Sequence, residues 1–249
     1  MEMSLWELEG VASEFAESLA AVRASTSPSG GWYLYGSLAN LSILAQLQEM
    51  TGSIPNVRRI ADIGAADGDL GIFLASQGFE VDLVDHAPTN ANHLEGARIL
   101  AGELAPGTRI FDVNLDEGED LPESSYDFVL FLGILYHLQN PFSALKRLSS
   151  VSKEMVLSTK VAGCDPEGRT WFGDQPVAYL VDEYECNGDP TNYWIFSNTG
   201  LRRLVNRAGW DIVSELSLGA VGISEPASME KDERTFMWLR SRSFPLSDD

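Results

Sequence analysis

The sequence predicts an α/β fold: a seven-stranded, mostly parallel sheet that ends in an antiparallel hairpin, with helices on both faces. Three observations predict it. Residues 57–85 read as a buried strand, a turn of small and acidic residues, an amphipathic helix and a second strand closing on a carboxylate. Strand and helix patterns keep alternating as far as Val161, as in parallel strands joined by helical crossovers. The last two strand patterns, 210–218 and 234–240, are separated by a loop and not a helix, so they pair antiparallel at one sheet edge.

Residues 4–24 carry Leu8, Val11, Phe15, Leu19 and Val22 at helical spacing, which predicts one amphipathic helix. The segment 27–31 (SPSGG) breaks it, and 32–50 read as an aromatic-led turn followed by a helix. Both helices precede the first strand, so they cap the pocket or pack on the sheet's flank. Tyr33 and Tyr35 lie in the Gly-flanked turn, where an aromatic pair fills the core or meets a ligand. Ile60, Ala61 and Ile63 make the first strand, which stops at Gly64. With little or no side chain at Gly64, Ala65, Ala66 and Gly68, a ligand can lie against the backbone.

Leu70, Phe73 and Leu74 then give a helix one apolar face, with Asp67 or Asp69 as N-cap and Gly78 as the stop. Asp85 ends the second strand at the distance, about 20 residues on, where a nucleotide-binding unit places its ribose-binding acid. A polar turn opens with His86, a helix follows over 93–104, and a third strand over 108–113 brings Asp112 to the same edge. Residues 126–132 are the most continuously apolar strand, hence buried on both faces. Asn140 and Pro141 start the next helix, and 154–161 form a fifth strand. Residues 162–197 show no clear periodicity, which predicts a substrate lid or inserted subdomain. Asn198 or Thr199 caps a last helix, stopped by Gly209.

Composition narrows the function. With 249 residues, 44% of them apolar, the chain buries one substantial core. The longest apolar run, 128–136, is too short to span a bilayer, and the acidic N-terminus lacks the basic start of a signal peptide, so the expected location is the cytoplasm. Two cysteines, Cys164 and Cys186, read as reduced structural thiols, and no metal site is expected. A net charge of −20 repels polyanions, and Arg202, Arg203 and Arg207 fall at the spacing of a solvated helix face, so nucleic acid is disfavoured.

The alternation, the terminal hairpin and the acid heading the turn Asp62-Ile63-Gly64-Ala65-Ala66-Asp67-Gly68 resemble the class I S-adenosylmethionine-dependent methyltransferases, a Rossmann-like fold, over residues 57–240. Ala66 stands where that family often has glycine. The expected organisation is an N-terminal helical cap (1–52) and a methyltransferase domain (53–249) with a substrate lid or insert at 162–197. The resemblance implies S-adenosylmethionine as cofactor, with S-adenosylhomocysteine as product. Gly64, Ala65 and Gly68 would line its methionine half, Asp62 its ammonium and Asp85 its ribose. Asp112 and Val113 would meet the adenine, and Leu132 and Gly133 the methionine moiety, with Tyr33 and His86 as further cofactor candidates.

Residues 133–141 (GILYHLQNP) and 192–197 (NYWIFS) are similar to the branch that contains the bacterial wobble-uridine tRNA carboxymethyltransferases. The acidic chain leads us to carry over fold and cofactor, not the tRNA substrate. Methyl transfer from a sulfonium is an in-line displacement, so the enzyme chiefly aligns the reactants and excludes water. A hydroxyl acceptor is helped by a base, and His137 is the candidate, the alternative being a structural histidine. Tyr136, His137, Lys160, Tyr193 and Trp194 are the substrate candidates, and Lys160 with Arg169 offers the cations for an acceptor carboxylate. The expected activity is methylation of a small molecule, most readily at oxygen. The alternatives are a tRNA methyl or carboxymethyl transferase and a cofactor-binding accessory protein without turnover. Candidate partners are the small-molecule acceptor and a second copy of the chain, with no membrane.

Overall fold

The apolar run before Gly64 forms β1 (Arg59–Ile63) in the computed structural model, which describes residues 4–52 and 56–245. Packing divides the chain into two units, Met1–Leu130 and Phe131–Asp249, and the division falls inside β4 (Tyr126–Leu132).

In the first unit, β1 pairs in parallel with β2 (Glu80–Asp85), and β2 with β3 (Arg109–Asp112), in the order β3-β2-β1-β4. Register places Asp62 beside Leu83 and Asp85 beside Asp112, so the strands deliver their acids to one end. The core strand β4 buries Phe128, Val129 and Leu130 completely, each worth about 2 kcal/mol over exposure. The crossover helices are α4 (Asp69–Ser76) and α5 (Glu95–Leu104).

The single helix expected over 4–24 is two, α1 (Leu5–Glu9) and α2 (Ala12–Ser25), because the chain turns at Gly10 and Val11; Val11, expected inward, is exposed. A helical turn at residues 37–40 leads into α3 (Leu41–Thr51), which packs on α1, while α2 contacts α4 and α5. Neither Asp67 nor Asp69 caps α4. Its N-cap is Gly68, left-handed at φ +80°, with no side chain to offer.

In the second unit, α6 (Pro141–Val151) precedes β5 (Ser152–Ala162), which pairs antiparallel with β9 (Glu233–Ser241). β8 (Trp210–Gly219) completes the expected hairpin with β9. The described residues hold nine strands, two more than expected, and both extra ones lie in the stretch without periodicity. They are β6 (Ala178–Leu180) and β7 (Trp194–Ser197), antiparallel to each other, with β7 parallel to β5. At three and four residues they are too short for alternation to register. The same stretch contributes α7 (Trp171–Asp174) and an apolar cluster of Phe172, Val181, Cys186 and Ile195 with Ala162. Ser197, one residue before the expected caps, caps α8 (Asn198–Arg207) by accepting from the Gly200 amide. Cys164 and Cys186 are both buried and free. Among the described residues no helix is long and apolar enough to cross a membrane.

Candidate functional site

The turn after β1 is held by the end of β2. Gly64 and Ala65 both donate to the Val84 carbonyl, at 2.8 and 3.3 Å, and Gly68 donates to Ala65 at 2.7 Å. Asp85 then orders the whole edge. Its carboxylate accepts from the amides of Ala66 and His86, each at 2.8 Å, and from Asn90 Nδ2 at 3.1 Å, while its carbonyl accepts from Val113 N at 3.0 Å. Asp112 accepts from the Ala87 amide at 2.8 Å, and the His86 ring lies 3.2 Å from the Thr89 hydroxyl. Gly64, Ala65, Gly68, Asp85, His86, Asp112 and Val113 thus share one bonded network.

Asp62 is buried, and among the described residues its side chain accepts from the Gly71 amide alone, at 3.1 Å. Glycine leaves room for that contact, because a Cβ at position 71 would lie 2.8 Å from Asp62 Oδ2 and 3.1 Å from Asp62 Cβ. Burial, reinforced by Asp85 and Asp69, pushes the Asp62 carboxyl up to about 7 despite the Gly71 bond. Burial likewise raises Asp85 against the hydrogen bonds that favour its charge.

Asp67 and Asp69, also buried, face Arg23 of α2, whose Nη2 lies 3.1 and 2.9 Å from them. Burial still outweighs Arg23 at Asp69, which sits at about 6. Tyr33 enters here through its backbone, donating to Asp67 at 2.9 Å, and its hydroxyl accepts from Ala91 N at 2.9 Å. The cap that Gly68 cannot supply comes from Ser37, whose hydroxyl accepts from Leu70 N at 3.0 Å. Arg23, Ser37, Gly71 and Asn90 escaped the sequence reading. Only Gly71 left a local signal, a small residue one turn into the helix.

A cleft of about 450 Å³ opens where β1, β2 and β3 begin, lined by Arg59, Phe79, Glu80, Gly107 and Arg109 among others. Its cations are matched by acids, Arg59 and Arg109 both pairing with Glu123, and it lies at the opposite strand ends from the acids above. The acid edge is therefore the candidate site.

The donor set suits a cationic nucleoside. Among the described residues no cation stands against Asp62, so a buried carboxyl lacks the counter-charge that a ligand ammonium or sulfonium would bring. A polyphosphate would meet the carboxyls of Asp62, Asp85 and Asp112 instead.

In the second unit, Leu132 ends β4 and Gly133 donates to the Ser158 carbonyl at 2.9 Å. The Tyr136 and His137 rings pack with centroids 4.2 Å apart, and Tyr193 N donates to the Tyr136 carbonyl at 2.8 Å. Trp194 Nε1 donates to the Gln139 carbonyl at 3.3 Å. His137 Nδ1 lies 2.9 Å from Thr191 Oγ1 and 3.2 Å from its carbonyl. The Thr191 hydroxyl itself lies 2.6 Å from Asp189 Oδ1 and gives its proton there. Both groups facing Nδ1 are therefore acceptors, which assigns the proton to Nδ1 and the lone pair to Nε2. Burial, aided by Arg234 and opposed by Asp189 and Thr191, lowers the His137 pKa, so the ring stays neutral near pH 7. Lys160 is tied down, 3.1 Å from Asp232 and donating to the Ser228 carbonyl at 2.7 Å.

A family model described as a methyltransferase domain matches residues 35–215. The chain belongs to that family. Its methyl donor is S-adenosylmethionine, the class that the acid-headed glycine turn implied. No curated protein matches this methyltransferase. Among solved structures it resembles the N-terminal domain of EvdMO1 with SAH and D-fucose, at 21% identity over 81% of this chain and 82% of that one, TM-score 0.57. It also resembles the O-methyltransferase from a trans-AT PKS multienzyme of Brevibacillus brevis with S-adenosyl-L-homocysteine, at 12% identity over 80% and 71% of the two chains, TM-score 0.57. A third is the Burkholderia thailandensis 1,6-didemethyltoxoflavin-N1-methyltransferase, at 20% identity over 79% and 75%, TM-score 0.52. At such identities the likeness is one of fold, the Rossmann-like methyltransferase fold.

Proposed function

We propose that this methyltransferase methylates an oxygen of a small-molecule acceptor, with His137 as the base. The observation that carries the reading is the His137 tautomer. A neutral ring with Nδ1–H bound to Thr191 presents its Nε2 lone pair, and that nitrogen has no hydrogen-bond partner among the described residues. S-adenosylmethionine supplies an electrophilic methyl group on a sulfonium. Asp62 would meet its ammonium and Asp85 its ribose, while Gly64, Ala65 and Gly68 leave the backbone open to it. Asp112, Val113, His86, Tyr33, Leu132 and Gly133 complete the cofactor side. Tyr136, Tyr193 and Trp194 offer aromatic surface to the acceptor, and 162–197 would act as a lid over it. His137 takes the acceptor's proton as the oxygen attacks.

The solved relatives named above include O- and N-methyltransferases, which supports a small acceptor. Neither they nor the family model lends support to the tRNA-modifying branch suggested by residues 133–141.

Calorimetric titration tests the cofactor. S-adenosylhomocysteine is expected to bind and NAD not to, and binding of NAD alone would sink the assignment. For the base, His137→Ala should retain S-adenosylhomocysteine binding and lose about 100-fold in turnover. An unchanged rate would remove His137 from the chemistry.

A further inference from the structure

The cations that the sequence offered to an acceptor carboxylate are already answered. Lys160 is held by Asp232, and Arg169 by Asp165 and Glu167. Arg234 is not. It stands directly opposite Lys160 in the antiparallel β5–β9 register, so both side chains leave the same face of the pair. It is half-buried, and among the described residues no carboxylate lies within ion-pairing distance of it. Its neighbours are Tyr136, whose ring centroid is 5.6 Å from the guanidinium carbon, and Gly133, where an added Cβ would lie 3.3 Å from Nη1 and 3.8 Å from the Tyr136 hydroxyl. Burial opposes its charge. The Tyr136 phenol and, less strongly, Asp232 and Cys186 nonetheless keep its pKa above the ordinary value, so it is a cation.

A guanidinium has five donors in a planar fork, and withdrawing it from water without a counter-anion is strongly unfavourable. With 37 acidic residues against 17 basic ones, a shortage of carboxylates does not explain the vacancy. Asp232, close enough to act on Arg234, is spent on Lys160. The glycine at 133 keeps the Nη1 side of the fork free of a side chain.

We propose that Arg234, with the Tyr136 hydroxyl beside it, binds a ligand carboxylate through a two-pronged contact. Arg234 also acts on His137, so the anion would lie close to the base. Under the methyltransferase reading, on which the choice of ligand rests, the carboxylate belongs either to a hydroxy-acid acceptor or to the amino-acid end of the cofactor.

Calorimetry on wild type, Arg234→Gln and Arg234→Lys separates these. One arm compares S-adenosylhomocysteine with 5′-methylthioadenosine, which lacks the carboxylate. The other titrates benzoate and its neutral partner benzamide into protein with and without S-adenosylhomocysteine. A wild-type preference for benzoate that Arg234→Gln reduces about tenfold places an acceptor carboxylate at the site. A tenfold fall in S-adenosylhomocysteine affinity, with 5′-methylthioadenosine unaffected, places the cofactor's there. Arg234→Lys, which keeps the charge without the fork, should restore part of either preference and guards against loss of fold. If Arg234→Gln alters neither ratio, or wild type shows neither preference, the proposal is overturned. Wild type that prefers benzoate but binds no S-adenosylhomocysteine would instead overturn the cofactor reading and leave Arg234 its role.

Discussion

Under the proposed reading, the buried Asp62 carboxyl would tie cofactor binding to pH. Its folded pKa, about 7, stands above the ordinary 3.8, so the fold favours the protonated form. The stability this contributes is complete below pH 3.8 and is lost as pH rises through 7. Asp62→Asn should therefore flatten the decline in stability over that window, measured by urea denaturation at several pH values. A cationic ligand favours the ionised carboxylate, so S-adenosylmethionine should bind more tightly as pH rises from 6 to 8 and release a proton near pH 6.5. Calorimetry in buffers of different ionisation enthalpy reads that proton, and its absence in wild type would remove Asp62 from the ammonium. Ala66 is a second such residue. It adopts φ +54°, the left-handed region that costs a non-glycine residue about 1 kcal/mol or more. Ala66→Gly should raise stability by roughly 0.5 kcal/mol after the extra chain entropy of glycine is set against the relief.

At the scale of elements, α4 depends on a distant stretch of chain. Its glycine N-cap leaves Leu70 N to Ser37, and the two acids beside the cap to Arg23. Ser37→Ala should cost about 1 kcal/mol, as for other lost caps. Arg23→Ala leaves two buried carboxylates without their cation and should cost about 3 kcal/mol. Thermal denaturation checks both, and Asp67→Asn with Asp69→Asn in the Arg23→Ala background should recover most of the second loss. Additive costs instead of recovery would mean that the ion pairs carry little of the energy. The segment before β1 thus completes the turn after β1 and the start of α4 through Arg23, Tyr33 and Ser37.

For the whole molecule, the net charge bears on which partners are favoured. A net −20 with few clustered cations predicts no shift of tRNA in a gel assay at about 0.15 M salt. Tight tRNA binding there would restore the branch that residues 133–141 resemble.

The sequence by itself determined the strand–helix alternation, the acid-headed turn and the closing hairpin, because periodicity, glycine and terminal carboxylates act over a few neighbouring residues. Asp62, Gly64, Gly68 and Asp85 were legible for that reason, and so was His137 as a candidate. The tertiary structure decided what depends on residues far apart in the chain. It placed Arg23 against Asp67 and Asp69, gave α4 its cap from Ser37, and set the His137 tautomer through Thr191. It also showed that Lys160 is spent on Asp232 while Arg234 opposite it is not. No local pattern carries these pairings, since hydrogen bonds and ion pairs depend on which side chains the fold brings within about 3 Å.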